Sequence, residues 1–358
     1  DQVPQPLQKA ISRAKDNIYR FHEAQKQEPE VVETMPGVQC WRKMVAIEKV
    51  GLYIPGGTAP LFSTLLMLGI PAQIAGCREI VLCTPPQKDG KVNPVILFTA
   101  QLLGIKKLFK IGGVQAVGAM AFGTESVPKV YKIFGPGNQY VTAAKQYVSQ
   151  LETAIDLPAG PSEVAVMADD SCRPEFIAAD LLSQAEHGAD SQVLLATASE
   201  DLVKPVEEAV RELLERLPRK DMTAKALENS LMVVVKDEDE LIDLINAYAP
   251  EHLIIATANY REQAERIINA GSVFLGHYTP ESAGDYASGT NHTLPTHGFA
   301  RTYSGVSLDS FVKKITFQEI SEQGIRNLGP TVEKMAEAEL LEAHKLAVTL
   351  RLDAVDGK

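Results

Sequence analysis

The sequence predicts an α/β protein with mostly parallel sheets, and three observations carry that expectation. Short β-branched runs recur along the chain, each followed by a turn and a helical pattern, which is the layout of βαβ units. The runs are continuously apolar rather than alternating, as expected of strands covered on both faces. The 358 residues, 45% hydrophobic and 23% charged, can bury a large core across two or three domains.

The expected strands are 79-EIVLC-83, 107-KLFKI-111, 130-VYKIF-134, 163-EVAVM-167, 193-VLLAT-197, 232-MVVV-235, 253-LIIAT-257 and 272-SVFL-275. The series pauses at 156-DLPAGPSE-163, a Pro/Gly-rich link that reads as a crossing between two α/β domains. The helix after 163–167 is expected to have Asp170 or Ser171 as its cap, with Pro174 and Glu175 in its first turn. Ile177, Ala178, Leu181, Leu182 and Ala185 form its apolar stripe. After residue 275 the pattern fails, and 277–298 is read as an irregular loop rich in Gly, Pro, Ser, Thr, Asp and His, of a length usually reserved for function or disorder. From about Phe317 the chain is expected to be helical, with Val332, Met335, Ala336, Leu340, Ala343, Ala347 and Leu350 near helical spacing. That arm could face a partner or pack on its own domain.

Composition excludes some partners. A net charge of −11 leaves nucleic acid and anionic membranes without the positive surface they need, a local basic patch aside. No apolar run of about 18 residues is present, and the N-terminal stretch lacks the layout of a secretory signal. Asp1 is not an initiator residue, which is consistent with removed upstream sequence. Cys40, Cys77, Cys83 and Cys172 are scattered without a CxxC pair, so we expect buried thiols and a cytoplasmic protein.

The chemistry-bearing residues are few. Asp180, Gln184 and His187 share a helix face, where they are either polar groups at an ordinary helix end before Gly188 or metal ligands. Of seven histidines, His277, His292 and His297 lie in the irregular loop with Asp285, His252 follows Glu251 just before a strand, and His344 lies on the C-terminal arm. Imidazole, amide oxygen and carboxylate suit zinc or manganese. No HExxH-type motif fixes such a site. The turns 51-GLYIPGG-57, 111-IGGVQAVG-118 and 133-IFGPGNQY-140 could present backbone N–H groups to phosphates or be ordinary strand-to-helix turns, and none is a GxGxxG fingerprint.

Taken together, LYIPGGTAPLFST, GTESVPKV, IFGPGN, LPAGPSEV, LLSQAEHG, APEHL and SAGDYASGTNHTLPT, in that order, resemble histidinol dehydrogenase from about residue 35 to the C-terminus. The resemblance implies a zinc-containing homodimer that oxidises L-histidinol through the aldehyde to L-histidine with two NAD, the last step of histidine biosynthesis. It implies zinc, one per subunit, on Gln184, His187, Asp285 and His344, the last supplied by the neighbouring subunit. It makes Glu251 and His252 the catalytic pair: His252 takes the alcohol proton, and Glu251 activates the water that hydrates the aldehyde. Tyr53, Gln115 and Asn138 match NAD-contacting positions. Ser162, Gln184, His187, His252, Asp285, Glu339 and His344 match substrate-contacting ones, and His292 is expected to hold substrate or orient a ligand.

The implied layout is two incomplete Rossmann-like domains and a C-terminal helical dimerisation arm: 1–52 with 162–306, the inserted 53–161, and 307–358. Adjacent Glu251 and His252 can serve one site only if the backbone turns there, and Pro250 suggests such a turn. Glu339 and His344 lie about 140° apart on an ideal helix, so a helix break between them is expected. Family members begin several dozen residues further upstream, and that missing part supplies helices to the first domain and part of the dimer arm. Two rivals remain at this point: a metallohydrolase using the same ligands with Glu251 as base, and a binding module that retains the fold.

Overall fold

The structure is a computed structural model that describes residues 2–56, 60–158 and 160–357. Gly57, Thr58 and Ala59 of the first glycine-rich motif, and Ala159 of LPAGPSEV, lie outside the described residues. The chain forms two compact units, one made of Ile47–Phe311 with the N-terminal stretch through Gln25, the other joining Lys26–Ala46 to the chain from Val312 onward.

In chain order the strands are β1 (Val32–Met35), β2 (Val38–Ala46), β3 (Lys49–Tyr53), β4 (Glu79–Cys83), β5 (Lys107–Phe109), β6 (Lys132–Phe134), β7 (Ala154–Ile155), β8 (Glu163–Ala168), β9 (Gln192–Thr197), β10 (Leu231–Val234), β11 (His252–Ala256), β12 (Ser272–Leu275) and β13 (Val312–Ile320). The larger unit holds two five-stranded sheets, ordered β5-β4-β3-β6-β7 and β10-β9-β8-β11-β12, and every pairing within them is parallel. Both orders are those of half a doubly wound fold, with the direction of winding reversing beside β3 and beside β8. The central strands are buried on both faces, as their unbroken apolar runs required: β8 is buried at every position, and so is β11. Helices Pro174–Ala185 and Glu200–Leu214 pack Ile177, Leu181 and Val206 on one face of the second sheet, while Leu241 and Ile245 of helix Glu238–Tyr248 cover the other.

The smaller unit is an antiparallel sheet, β1-β2-β13, followed by helices Glu322–Ala338 and Glu342–Val355. These two helices approach closely: a Cβ on Gly329 would lie 2.9 Å from Leu352. Between them Leu340 takes φ +59°, so the expected break separates Glu339 from His344.

Two expectations are corrected. Phe317 lies on β13, not in a helix, because 312–320 pairs antiparallel with 38–46, a partner too distant in sequence to be visible locally. β3 spans residues 52 and 53 at the centre of the first sheet, and 26–46 groups with the C-terminal segment in the smaller unit. The helix beginning at Pro174 has Arg173 at its N-cap position, not Asp170 or Ser171, since a proline without an N–H fits the first turn. Its carboxyl end stops in αR geometry at Glu186. Among the described residues no helix is long and apolar enough to cross a membrane.

Candidate active site and metal centre

In a parallel sheet each connecting helix runs back against the strands, so helix amino ends lie beside strand carboxyl ends and helix carboxyl ends beside strand amino ends. A cavity of about 850 Å³ in the larger unit uses both kinds of edge. From the first sheet it is lined by Tyr53, the last residue of β3, and by Pro136, Gly137 and Asn138, which follow β6. From the second it is lined by Ser162, just before β8, by Glu251 and His252 at the start of β11, and by Gln184 and His187 at the end of helix Pro174–Ala185.

The turn that sequence reasoning required before Glu251 is made one residue earlier than Pro250. Ala249 ends helix Glu238–Tyr248 in the left-handed conformation, φ +55°, with its N–H on the Ile245 carbonyl. The chain then re-enters the sheet so that both Glu251, 7% exposed, and His252, 2% exposed, reach the cavity. Nδ1 of His252 lies 3.1 Å from the Glu163 carbonyl oxygen, which fixes that nitrogen as an N–H donor and, in the neutral ring, leaves Nε2 as the lone-pair nitrogen. Glu251 Oε2 accepts the Glu163 backbone N–H at 2.9 Å and lies 3.6 Å from His252 Nδ1. Burial disfavours an imidazolium here, but Glu251, Asp285 and Glu281 outweigh it, and the His252 pKa rises well above its ordinary value.

Asp285 does not sit in an unstructured loop. It rides on the short helix Glu281–Tyr286, which also carries Glu281 one turn earlier, and both carboxylates face His187 and Gln184. Ligand atoms of His187, Glu281 and Asp285 all lie within 4.8 Å of one another. Gln184, 1% exposed, sets its side-chain amide between the Glu281 carboxylate and the Glu163 N–H; without a cation its nitrogen donates to Glu281 and its oxygen accepts the Glu163 N–H at 3.2 Å, and the reverse orientation would turn the oxygen toward the carboxylates as a metal ligand. Burial pushes the Glu281 carboxyl up to about 8. Burial acts the same way on Asp285, yet the imidazoles of His252, His292 and His187 outweigh it and hold that carboxyl low.

Among the described residues that line the cavity, Asp285 Oδ1 and His252 Nε2 are buried without a hydrogen bond and lie 3.4 Å apart. Unpaired buried polar atoms among converging carboxylates and an imidazole are what a divalent cation would satisfy, and the oxygen and nitrogen donors match the preferences of zinc. Glu281 escaped sequence reasoning, although its i, i+4 spacing from Asp285 in ESAGD was readable once that segment was taken as helical.

His292 ties the site to the first sheet's side. Its Nδ1 donates to the Asp285 carbonyl at 2.8 Å, and its Nε2 receives the Thr64 hydroxyl at 3.1 Å; burial lowers its pKa and so favours this neutral form. His297 also lines the cavity, its N–H held by Glu163 Oε1 at 2.9 Å, whereas His277 lies apart near Ser171. Glu339 and His344 belong to the smaller unit, where both are exposed.

On the other side, the Tyr53 hydroxyl accepts the Gly113 N–H at 3.1 Å, joining the turn after β3 to the one that opens helix Gly113–Phe122. Asn138 caps helix Gln139–Ser149, its Oδ1 accepting the N–H groups of Tyr140 and Val141 at 3.1 Å each. Gln115 is exposed in the first turn of its helix and is not part of the cavity lining.

Comparison with known proteins agrees with this geometry. The family model described as histidinol dehydrogenase matches residues 1–352. Histidinol dehydrogenase of Bacteroides thetaiotaomicron is 67% identical over 99% of this chain and 82% of its own length. The crystal structure of histidinol dehydrogenase from Elizabethkingia anophelis superposes with a TM-score of 0.97 at 58% identity, covering 99% of this chain and 82% of that one. An NADP-dependent glyceraldehyde-3-phosphate dehydrogenase from Bacillus halodurans shares the fold alone, with a TM-score of 0.54 at 14% identity over 87% of this chain and 79% of that one. A family match spanning nearly the whole sequence and high identity at near-complete coverage lead to one conclusion: the chain belongs to the histidinol dehydrogenase family.

Proposed function

We propose that the protein oxidises L-histidinol through L-histidinaldehyde to L-histidine with two NAD, as the last step of histidine biosynthesis. The observation that carries this reading is His252: its Nε2 is unpaired and faces the cavity, while Nδ1 is fixed by the Glu163 carbonyl at 3.1 Å. With a cation offsetting the carboxylates that hold its pKa up, the imidazole is neutral at Nε2 and can take the proton of a substrate hydroxyl there as the carbinol carbon is oxidised. Glu251 stands on the same side of the cavity, where it can accept a proton from the water that hydrates the aldehyde. When bound, nicotinamide takes the reducing equivalents, and zinc supplies Lewis-acid anchoring for the substrate's nitrogens and positive charge against the carboxylates.

Gln184, His187 and Asp285 would hold the zinc, one ion per subunit. In this reading the fourth ligand is His344 of the partner subunit, with Glu339 beside it, so the C-terminal arm completes the active site of a homodimer. Ser162, at the cavity wall, would contact substrate. Tyr53, Gln115 and Asn138 would contact NAD. The four cysteines are all free, and burial pushes the Cys77 and Cys83 thiols up to about 12, so they are unreactive; we place the enzyme in the cytoplasm on that thiol usage.

Anaerobic incubation with zinc, NAD and histidinol should release two NADH per amino alcohol consumed. One NADH would mean release at the aldehyde, and none would favour a hydrolase or a binding protein.

A further inference from the structure

The first sheet hides a charged pair that the reaction does not use. Lys145, on helix Gln139–Ser149, and Asp156, just after β7, form an ion pair at 2.5 Å with side-chain exposures of 5% and 1%. Both charges converge on one residue of the turn after β6. Lys145 Nζ donates to the Gly135 carbonyl at 2.8 Å, and Asp156 Oδ2 accepts the Gly135 N–H at 2.8 Å. The other Asp156 oxygen accepts the Leu157 N–H, also at 2.8 Å. Gly135 packs directly on the β3 backbone, where only glycine fits: at φ +123°, a Cβ there would lie 2.0 Å from the Tyr53 carbonyl oxygen.

Neither charged side chain lines the cavity, yet the segments they grip do: 136–138 on one side and Pro158, Gly160 and Pro161 on the other. Burying such a pair costs desolvation, and apolar residues of similar volume often stabilise a core as well or better. What an apolar pair cannot supply is a donor and an acceptor for the two polar groups of Gly135.

We propose that Lys145 and Asp156 are positioning residues for the dinucleotide. They clamp Gly135 against Tyr53, so that Tyr53 and Asn138 meet the cofactor at a set spacing. The inference rests on the assignment of NAD to this side of the cavity. It predicts that the pair acts on NAD and leaves the metal side, built on the other sheet, untouched.

The test is steady-state kinetics and thermal unfolding of the zinc-loaded enzyme carrying Lys145→Met with Asp156→Leu, an apolar replacement of the pair. The expected result is a lowered Tm, because the Gly135 N–H and C=O lose their partners, with an NAD KM raised ~10-fold or more and a histidinol KM and zinc content unchanged. An NAD KM equal to the parent's would overturn the proposal, because the pair would then serve the core alone. So would equal rises in both KM values.

If the double variant does not fold, Asp156→Asn keeps the side-chain volume and reads the same contrast: a selective rise in NAD KM supports the clamp, and an unchanged one refutes it. A parent enzyme with no saturable dependence on NAD would remove the cofactor assignment and this inference with it. That failure is recognised because it is seen before any substitution.

Discussion

The two parallel sheets have the same strand order but offer opposite edges to one cavity. The first presents strand carboxyl ends and helix amino ends, with Tyr53, Asn138 and the start of helix Gln139–Ser149 at the wall. The second presents strand amino ends and helix carboxyl ends, with Ser162, Glu251, His252 and Gln184. Helix amino ends carry positive partial charge and free N–H groups, which suit a phosphate-bearing ligand; helix carboxyl ends suit cations. Under the proposed assignment of NAD and metal, the rule that open α/β sheets bind at their carboxyl ends would describe the first sheet and fail for the second. Strand order alone therefore does not say which edge will be used, and the placement of carboxylates and imidazoles decides it.

The largest effect should come from the second sheet's edge. His252→Asn should lower kcat by ~10³-fold with little change in histidinol binding. Unchanged turnover with weakened affinity would reassign His252 from base to substrate contact. Next, Asp285→Asn should weaken zinc binding by at least ~100-fold while NAD affinity, read by titration, holds. Parallel loss of both ligands would mean that the two edges are not independent.

Asp180, on the helix that carries Gln184, gives a smaller effect with a defined pH dependence. Burial raises its carboxyl pKa from 3.8 to about 7. Between those values the native chain keeps a proton that the unfolded chain releases, so this contribution to stability is complete below about pH 4 and lost as pH rises to 7. Asp180→Asn should thus match the parent in denaturant unfolding near pH 4 and exceed it by roughly 2 kcal/mol at pH 8, after allowance for partial exposure. Equal stabilities at both pH values would contradict the assignment. The smallest effect belongs to the first sheet: Asn138→Ala removes a helix cap and should cost about 1 kcal/mol of stability while raising the NAD KM.

How much of this was legible follows from where each signal resides. The central strands announced themselves, because a strand covered on both faces must be continuously apolar, as 163-EVAVM-167 and 253-LIIAT-257 are. β2 and β13 did not, since their residues are mostly half-exposed or exposed and their pairing joins segments more than two hundred residues apart. β3 was taken as part of a glycine-rich turn because KVGLY has a glycine at its centre; a Cβ on Gly51 would meet Met120 at 2.6 Å, so close packing favours glycine there. Gln184, His187, Glu251, His252 and Asp285 were all singled out from sequence, and the fold brings them to one cavity. Glu281 was missed because six residues of helix inside a Gly/Pro-rich segment leave no periodic pattern to read.

The central claim is that one cavity holds a cation at the second sheet's edge and a dinucleotide at the first's, with His252 between them. Anomalous diffraction at the zinc edge, from crystals grown with zinc and NAD, tests it most directly. The account predicts a metal peak within coordination distance of His187 and Asp285, and dinucleotide density running along Tyr53 and Asn138. A metal peak elsewhere, or NAD bound away from β3 and β6, would contradict it.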